Sequence, residues 1–320
     1  MVQNKAFIYK QTPHGFPTNK DLTIESTDFD LDAAPPPGGF TTKNFYAAFD
    51  PSQRGRMRDP AIKSYSPAMT LNEPVSSVSV IGKVLKSDAK DIKEGSIVLL
   101  TSSGTESYSI VTANKLPLVK VLTEQKGVPL TAHLGALGMT GMTAYGSLHE
   151  IGQPKKGQTI LVSAAAGAVG QMVGQFAVRE GLKVIGSVGD DAKLEFITKE
   201  LGFTSGFNYK KENMKEAVER LAPEGLDIFY DNVGGDLLDV ALNNMKEHGR
   251  ISKCSICCVL RHTDNVYQLH AAASPPITTS PERPKVSRIT VRWSEDESDG
   301  RGSWFLTQIS SRMPKRGTRM

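Results

Sequence analysis

The stretch Thr159-Ile160-Leu161-Val162-Ser163-Ala164-Ala165-Ala166-Gly167-Ala168-Val169-Gly170 decides the fold class of this chain. Its opening residues are a short apolar run that reads as a strand. The small residues after it allow a tight turn, and a helix is expected from about Val169 to Arg179. Such a turn lets backbone approach a pyrophosphate, and the helix N-terminus offers it free N–H groups and a positive dipole end. A tight βα turn without a ligand is the alternative. The strand before the loop and the helix after it are the context that favours a dinucleotide.

The next strand, Lys183–Ser187, decides which dinucleotide. An NAD enzyme places Asp or Glu at that strand's end to bond the ribose 2′-hydroxyl. Here the end reads Gly186-Ser187-Val188-Gly189, without a carboxylate, and Lys193 follows as the only cation near it. Its ammonium reaches a 2′-phosphate on this reading; the alternative is a solvated lysine. Asp190 and Asp191 oppose an anion, but they also suit a helix start. The expected cofactor is therefore NADP(H).

Around this unit strand and helix alternate. Strands are expected at Gln158–Ser163, Lys183–Ser187, Phe207–Tyr209, Leu226–Tyr230 and Arg250–Lys253. Helices are expected at Val169–Arg179, Ala192–Leu201, Glu212–Leu221 and Asp236–Glu247. That order implies a doubly wound parallel sheet, an α/β fold. The first 125 or so residues read instead as short strands between Pro and Gly: Ala6–Tyr9, Leu22–Glu25, Ser77–Lys86, Ser96–Thr101 and Tyr108–Thr112. Thr131–Leu137 and Thr143–Ile151 look helical. After Cys254 the pattern stops, and Ala271–Met320 is rich in Ser, Pro, Arg and Thr. The organisation expected is a β domain over 1–125, a Rossmann domain over 126–254 and an irregular, disordered tail over 255–320.

Composition narrows the functional classes. Of the 320 residues 39% are hydrophobic, enough for a sizeable core, and the net charge is only +4. Much of that excess lies between Lys285 and Arg319, which does not argue for a nucleic-acid surface. No apolar run is long enough to cross a membrane, and Met1–Lys20 does not resemble a signal peptide. The three cysteines, Cys254, Cys257 and Cys258, are clustered and make no disulfide framework, which fits a reducing cytoplasm. They are too few for a zinc lobe, and His133 and His149 lie in apolar helical patterns, so no metal site is expected.

Several stretches add up to a resemblance. They are Arg54-Gly55-Arg56-Met57-Arg58, Lys63-Ser64-Tyr65-Ser66-Pro67 and Gly138-Met139-Thr140-Gly141-Met142-Thr143-Ala144-Tyr145, with Ser163–Gly170, Phe207-Asn208-Tyr209-Lys210 and Tyr230-Asp231-Asn232-Val233-Gly234-Gly235. From about Lys5 to Cys254 the chain resembles the zinc-independent medium-chain dehydrogenase/reductases, and among them the alkenal/one reductase branch. That branch includes leukotriene B4 dehydrogenase (prostaglandin reductase) and plant and fungal double-bond reductases. The resemblance implies a GroES-like β domain joined to a Rossmann domain. It also implies hydride transfer from NADPH to the β-carbon of an α,β-unsaturated aldehyde or ketone. By the same resemblance Ala166, Gly167, Ala168, Val169 and Gly170 hold the pyrophosphate. Lys193 and Tyr209 meet the 2′-phosphate, and Asn232 lies near the nicotinamide. The alternatives are a strand-end tyrosine packed on a helix for Tyr209 and a helix cap for Asn232.

The chain departs from the family after its last expected strand. Relatives follow the Asn-Val-Gly-Gly helix with a strand and a Gly-x-Ile-Ser-x-Tyr-Asn-like loop that brings a tyrosine to the substrate. Here Arg250-Ile251-Ser252-Lys253-Cys254 runs into Ser255-Ile256-Cys257-Cys258-Val259-Leu260, and the sheet is expected to be incomplete. Ser52 also stands where plant relatives tend to have tyrosine. The segment after Cys254 looks like out-of-frame or retained-intron translation. No catalytic residue is assigned, and Tyr65 is the one candidate. The expected partners are a small unsaturated carbonyl compound and a second copy of the chain as a homodimer, with no nucleic acid and no membrane. Two further readings are a non-catalytic NADP-binding remnant and a quinone reductase.

Overall fold

The structure, a computed structural model, describes residues 1–64, 66–123 and 125–254, together with two strands further on. The chain divides into two compact units, the first covering Met1–Met142 and the second starting at Thr143. Sequence composition places this division near residue 125. It falls later because the 3₁₀ turn Leu130–Leu134 packs on the first unit's sheet.

In the first unit β1 (Val2–Tyr9) and β2 (Leu22–Phe29) form an antiparallel ribbon. Strands β3 (Phe40–Ala47), β4 (Ser76–Ser87), β5 (Ile97–Gly104), β6 (Tyr108–Val111) and β7 (Val119–Val121) form an antiparallel sheet in the order β6-β3-β4-β5-β7. A short helix α1 (Ser52–Arg56) precedes β4. Strand β3 is not among the expected strands. Its pairing with β4 slips at Thr41/Thr42 and at Asn44/Tyr46, and such bulges break the period-2 pattern by which a strand is read. The sheet closes on a core of Phe40, Val80, Val84, Val98, Leu100 and Val111.

Glu106 ties this unit's ribbon to its sheet. Its carboxylate accepts from Asn4 Nδ2 (3.1 Å, β1) and from Ser109 Oγ (2.9 Å, β6). Burial raises its pKa above the usual carboxylate range, against these hydrogen bonds.

The second unit is the parallel sheet. Strands β8 (Thr159–Val162), β9 (Lys183–Val188), β10 (Ser205–Asn208), β11 (Leu226–Asp231) and β12 (Met245–Lys253) lie in the order β10-β9-β8-β11-β12. Helix α2 (Met139–Ser147) straddles the division between the units. Helices α3 (Ala168–Arg179), α4 (Asp191–Glu195), α5 (Met214–Leu221) and α6 (Asp236–Asn243) link the strands. Two apolar clusters flank the sheet. One gathers Ile160, Val162, Val173, Val184, Ile197, Phe203 and Ile228, the other Leu161, Ile185, Phe207, Val218, Phe229 and Leu237. Neighbouring β8 residues alternate between them, as side chains of period 2 must.

Two elements differ from the expectation. Helix α6 ends at Asn243 rather than running to Glu247. The Asn244 carbonyl accepts from Leu226 N–H (2.8 Å), so the chain leaves the helix to pair with β11. The expected helix Ala192–Leu201 is α4 followed by a wider π turn, Phe196–Glu200. Beyond Cys254, Val291–Asp296 (β13) pairs antiparallel with Arg301–Leu306 (β14). This hairpin falls in the stretch expected to be irregular. The rest of that tail, Cys257 and Cys258 included, lies outside the described residues.

Helix α3 approaches β9 closely. A Cβ on Gly174 would lie 1.8 Å from Cζ of Phe203, and one on Gly186 would lie 2.3 Å from Ile197 Cδ1. Gly174→Ala should therefore destabilise the fold by about 1–3 kcal/mol although alanine favours helix, and a second change, Phe203→Leu, should return part of the loss in urea unfolding. The Glu106 contribution to stability is fully present while the folded and unfolded states are both protonated. It is lost as pH rises through the raised folded pKa. The stability of wild type minus that of Glu106→Gln, from urea midpoints between pH 5 and 8, should thus fall as pH rises.

Candidate functional site

Parallel strands bring their carboxyl ends to one rim. Ser163 follows β8, Gly189 follows β9, Tyr209 follows β10 and Asn232 follows β11, so every sequence-predicted cofactor residue meets at that rim.

The loop after β8 turns through Ala164, whose φ of +47° lies in the left-handed region. Ala165 N–H returns to Ser187 O (3.0 Å), and Gly167 N–H to Ala164 O (2.8 Å). Helix α3 then starts at Gly167 with no side-chain cap. Among the described residues the N–H groups of Ala168, Val169 and Gly170 have no protein acceptor, whereas Gln171 N–H bonds Gly167 O at 2.9 Å. Three unspent donors at the start of a twelve-residue helix make an anion cradle. Gly170 is fixed by packing: a Cβ there would stand 2.3 Å from Ala164 O.

At the end of β9, Asp190 caps α4 by accepting from Lys193 N–H (3.1 Å). Lys193 is exposed, and its ammonium has no partner among the described residues. The Tyr209 hydroxyl lies 2.7 Å from the position of a Cβ on Gly189, so only glycine lets the ring rest there. The same ring packs on the Leu161–Phe229 side of the sheet. Lys193 is not the only cation here, as sequence spacing had suggested. Lys211 pairs with Asp191, whose other oxygen accepts from Asn208 Nδ2 (2.7 Å). Lys211, first and Asn208 next, hold the Asp191 carboxyl below its usual range. The pair joins residues twenty apart across β10, which sequence adjacency does not reveal.

At the end of β11, Asn232 is no helix cap: α6 starts at Gly235. Asn232 donates its backbone N–H to Ser163 Oγ (2.7 Å) and its Nδ2 to Ser163 O (2.8 Å). The neighbouring Asp231 is fully buried. Its Oδ1 accepts from Val233 N–H (2.9 Å), Gly234 N–H (2.6 Å) and Ser163 Oγ (3.4 Å), while Oδ2 has no partner among the described residues. The turn continues through Gly234 and Gly235 at φ +73° and +65°, which accounts for the glycine pair. Tyr230 is committed to the core, its hydroxyl 2.6 Å from Ser147 Oγ, and burial raises its pKa.

The first unit carries an open groove of about 730 Å³ lined by Tyr9, Thr12, Arg58, Ile62, Met69 and Leu71. The arginines of the Arg-Gly-Arg-Met-Arg motif brace its surroundings. Arg58 donates to the carbonyls of Gly55, Ile62 and Ser66, Arg54 to those of Pro13 and Gly15, and Arg56 to that of Pro67. Tyr65, the one catalytic candidate, lies outside the described residues. Among the described residues no three His, Cys, Asp or Glu side chains gather as a metal-ligand set, and no helix is long and apolar enough to cross a membrane.

A parallel sheet with an uncapped helix after its central strand, in a chain that also carries a separate antiparallel sheet, is the architecture of a nucleotide-dependent oxidoreductase. Residues 5–119 match the family described as the N-terminal domain of oxidoreductase, and residues 168–272 match zinc-binding dehydrogenase. The second match runs past Cys254, where sequence reading ends the likeness. The chain is 49% identical to the NADP-dependent oxidoreductase RED1 of Cochliobolus heterostrophus, over 78% of this chain and 71% of that protein. It is 40% identical to a 2-alkenal reductase (NADP(+)-dependent) of Nicotiana tabacum, over 84% and 77%. The crystal structure of CurA from Vibrio vulnificus in complex with NADPH superimposes with a TM-score of 0.69 at 31% identity, over 77% and 70%. The chain belongs to the medium-chain dehydrogenase/reductases, in their alkenal reductase branch.

Asp231→Ala should cost about 1–3 kcal/mol in urea unfolding, because Val233 and Gly234 N–H lose their acceptor. Asp231→Asn keeps a carbonyl oxygen for them and should recover most of that loss.

Proposed function

We propose that this chain binds NADPH along the carboxyl rim of its parallel sheet and reduces the C=C bond of α,β-unsaturated aldehydes or ketones. The observation that carries the reading is the uncapped start of α3, with three N–H groups that have no acceptor among the described residues, directly after the buried strand β8. The fit extends to the other end of the cofactor: Lys193 is exposed in the first turn after β9, with no ammonium partner among the described residues, and the Tyr209 hydroxyl lies against Gly189 at the end of the same strand, where a 2′-phosphate needs donors. Ala166, Gly167, Ala168, Val169 and Gly170 would hold the pyrophosphate, Lys193 and Tyr209 the 2′-phosphate, and Asn232 would line the nicotinamide end. Bound NADPH supplies a hydride for the β-carbon of the substrate. The names of the relatives support the same chemistry: one is a 2-alkenal reductase, and another a (+)-pulegone reductase of Mentha piperita.

A cytoplasmic setting is part of this proposal, supported by the clustered cysteines. So is a homodimer, which sedimentation would read.

The test is titration of the chain with NADPH and NADH, followed by loss of NADPH absorbance with a simple 2-alkenal and with a quinone. Turnover with the alkenal is expected. Binding without turnover would leave the NADP-binding remnant, and turnover confined to the quinone would favour a quinone reductase. Lys193→Ala should weaken NADPH by about 1.5–3 kcal/mol, the range of a charge-assisted contact, and leave NADH nearly unchanged. Equal weakening of both would remove Lys193 from the site.

A further inference from the structure

We propose that Lys211 is a specificity-determining residue: by pairing with Asp191 it cancels a carboxylate that would otherwise repel the 2′-phosphate and favour NADH. The inference rests on the NADPH reading above and extends it to residues outside the phosphate contacts.

Two carboxylates open α4, and each is occupied differently. Asp190 faces the start of the helix, where its charge suits the dipole and one oxygen accepts Lys193 N–H (3.1 Å). Asp191 also lies in the first turn of the helix, but it caps no backbone N–H. It lies two residues beyond Gly189, close to where NAD-dependent sheets place the acid that bonds the ribose 2′-hydroxyl. Left alone, it would make this rim an NADH site and would oppose a doubly charged phosphate. Its two oxygens are instead taken by Lys211 Nζ and Asn208 Nδ2, from the turn that follows β10 and the last residue of that strand. The carboxylate is thus neutralised and turned toward β10, and the free ammonium at the rim, Lys193, acts unopposed. Charge counting agrees. Asp190, Asp191, Lys193 and Lys211 sum to zero, and without Lys211 they sum to −1.

Asp191 and Lys211 side chains are 55% and 67% exposed, so the pair contributes little to folding and its removal leaves a testable protein. The experiment compares NADPH and NADH affinities by calorimetry in wild type, Lys211→Ala and the double variant Asp191→Asn/Lys211→Ala. Lys211→Ala should weaken NADPH about fivefold, the size of one unscreened unit charge at contact range in water, while NADH binds as before or tighter. The double variant should bind NADPH nearly as wild type does, because no carboxylate remains to be cancelled. That recovery separates charge cancellation from a direct Lys211–phosphate contact, which the double variant would still lack. A single variant that weakens both nucleotides equally or neither, or a double variant no better than the single, overturns the inference. If wild type itself fails to prefer NADPH, the cofactor reading fails and takes this inference with it. A selective wild type with an indifferent Lys211→Ala overturns this inference alone.

Discussion

Phe203 and Ile197 fill space that side chains at Gly174, Gly186 and Gly206 would otherwise occupy, and the second unit is built around that exchange. Gly186 and Gly206 are paired neighbours on β9 and β10, so their missing side chains leave one dent in the sheet, into which Ile197 projects. Phe203 lies beside it against Gly174 of α3. Helix α3 therefore runs close to the sheet, and the loop before it is short and tight. Ala164 takes up a left-handed conformation, and among the described residues the first N–H groups of α3 have no acceptors. The cradle for a phosphate is in this sense a product of close packing between helix and sheet.

The same rim is stitched from the other side by a polar network. Ser163 at the end of β8, with Asp231 and Asn232 at the end of β11, exchange hydrogen bonds through side chain and backbone. A buried carboxylate is costly unless hydrogen-bonded, and Asp231 concentrates its bonds on one oxygen. The result is a fixed turn over Val233–Gly235 next to the loop that starts α3. A dinucleotide laid along this rim would meet backbone held in place before it arrives, which lowers the ordering cost of binding.

Much of the candidate site was legible in the residue order. The apolar strand, the small-residue loop and the helix after it are neighbours in sequence, so their chemistry is visible locally. Alternation of strand and helix implies parallel strands, and these put Gly167, Lys193, Tyr209 and Asn232 on one rim. Less was legible in the first unit. Bulges disguise β3, and residue order does not show that Arg54, Arg56 and Arg58 donate to backbone carbonyls of distant loops.

The sequence by itself determined the class of fold and the family, because periodicity and motif spacing are properties of neighbours along the chain. Tertiary structure alone decided what each site residue bonds. Asn232 could cap a helix or tie two strands, and the approach of β8 to β11 selects the tie. Asp191 could serve NADH or be silenced, and Lys211, brought across β10 by the fold, silences it. The length of α6 was decided in the same way, by the Leu226 N–H that takes the carbonyl of Asn244. Each outcome depends on a partner distant in sequence, and only the packing of the sheet brings that partner within hydrogen-bond range.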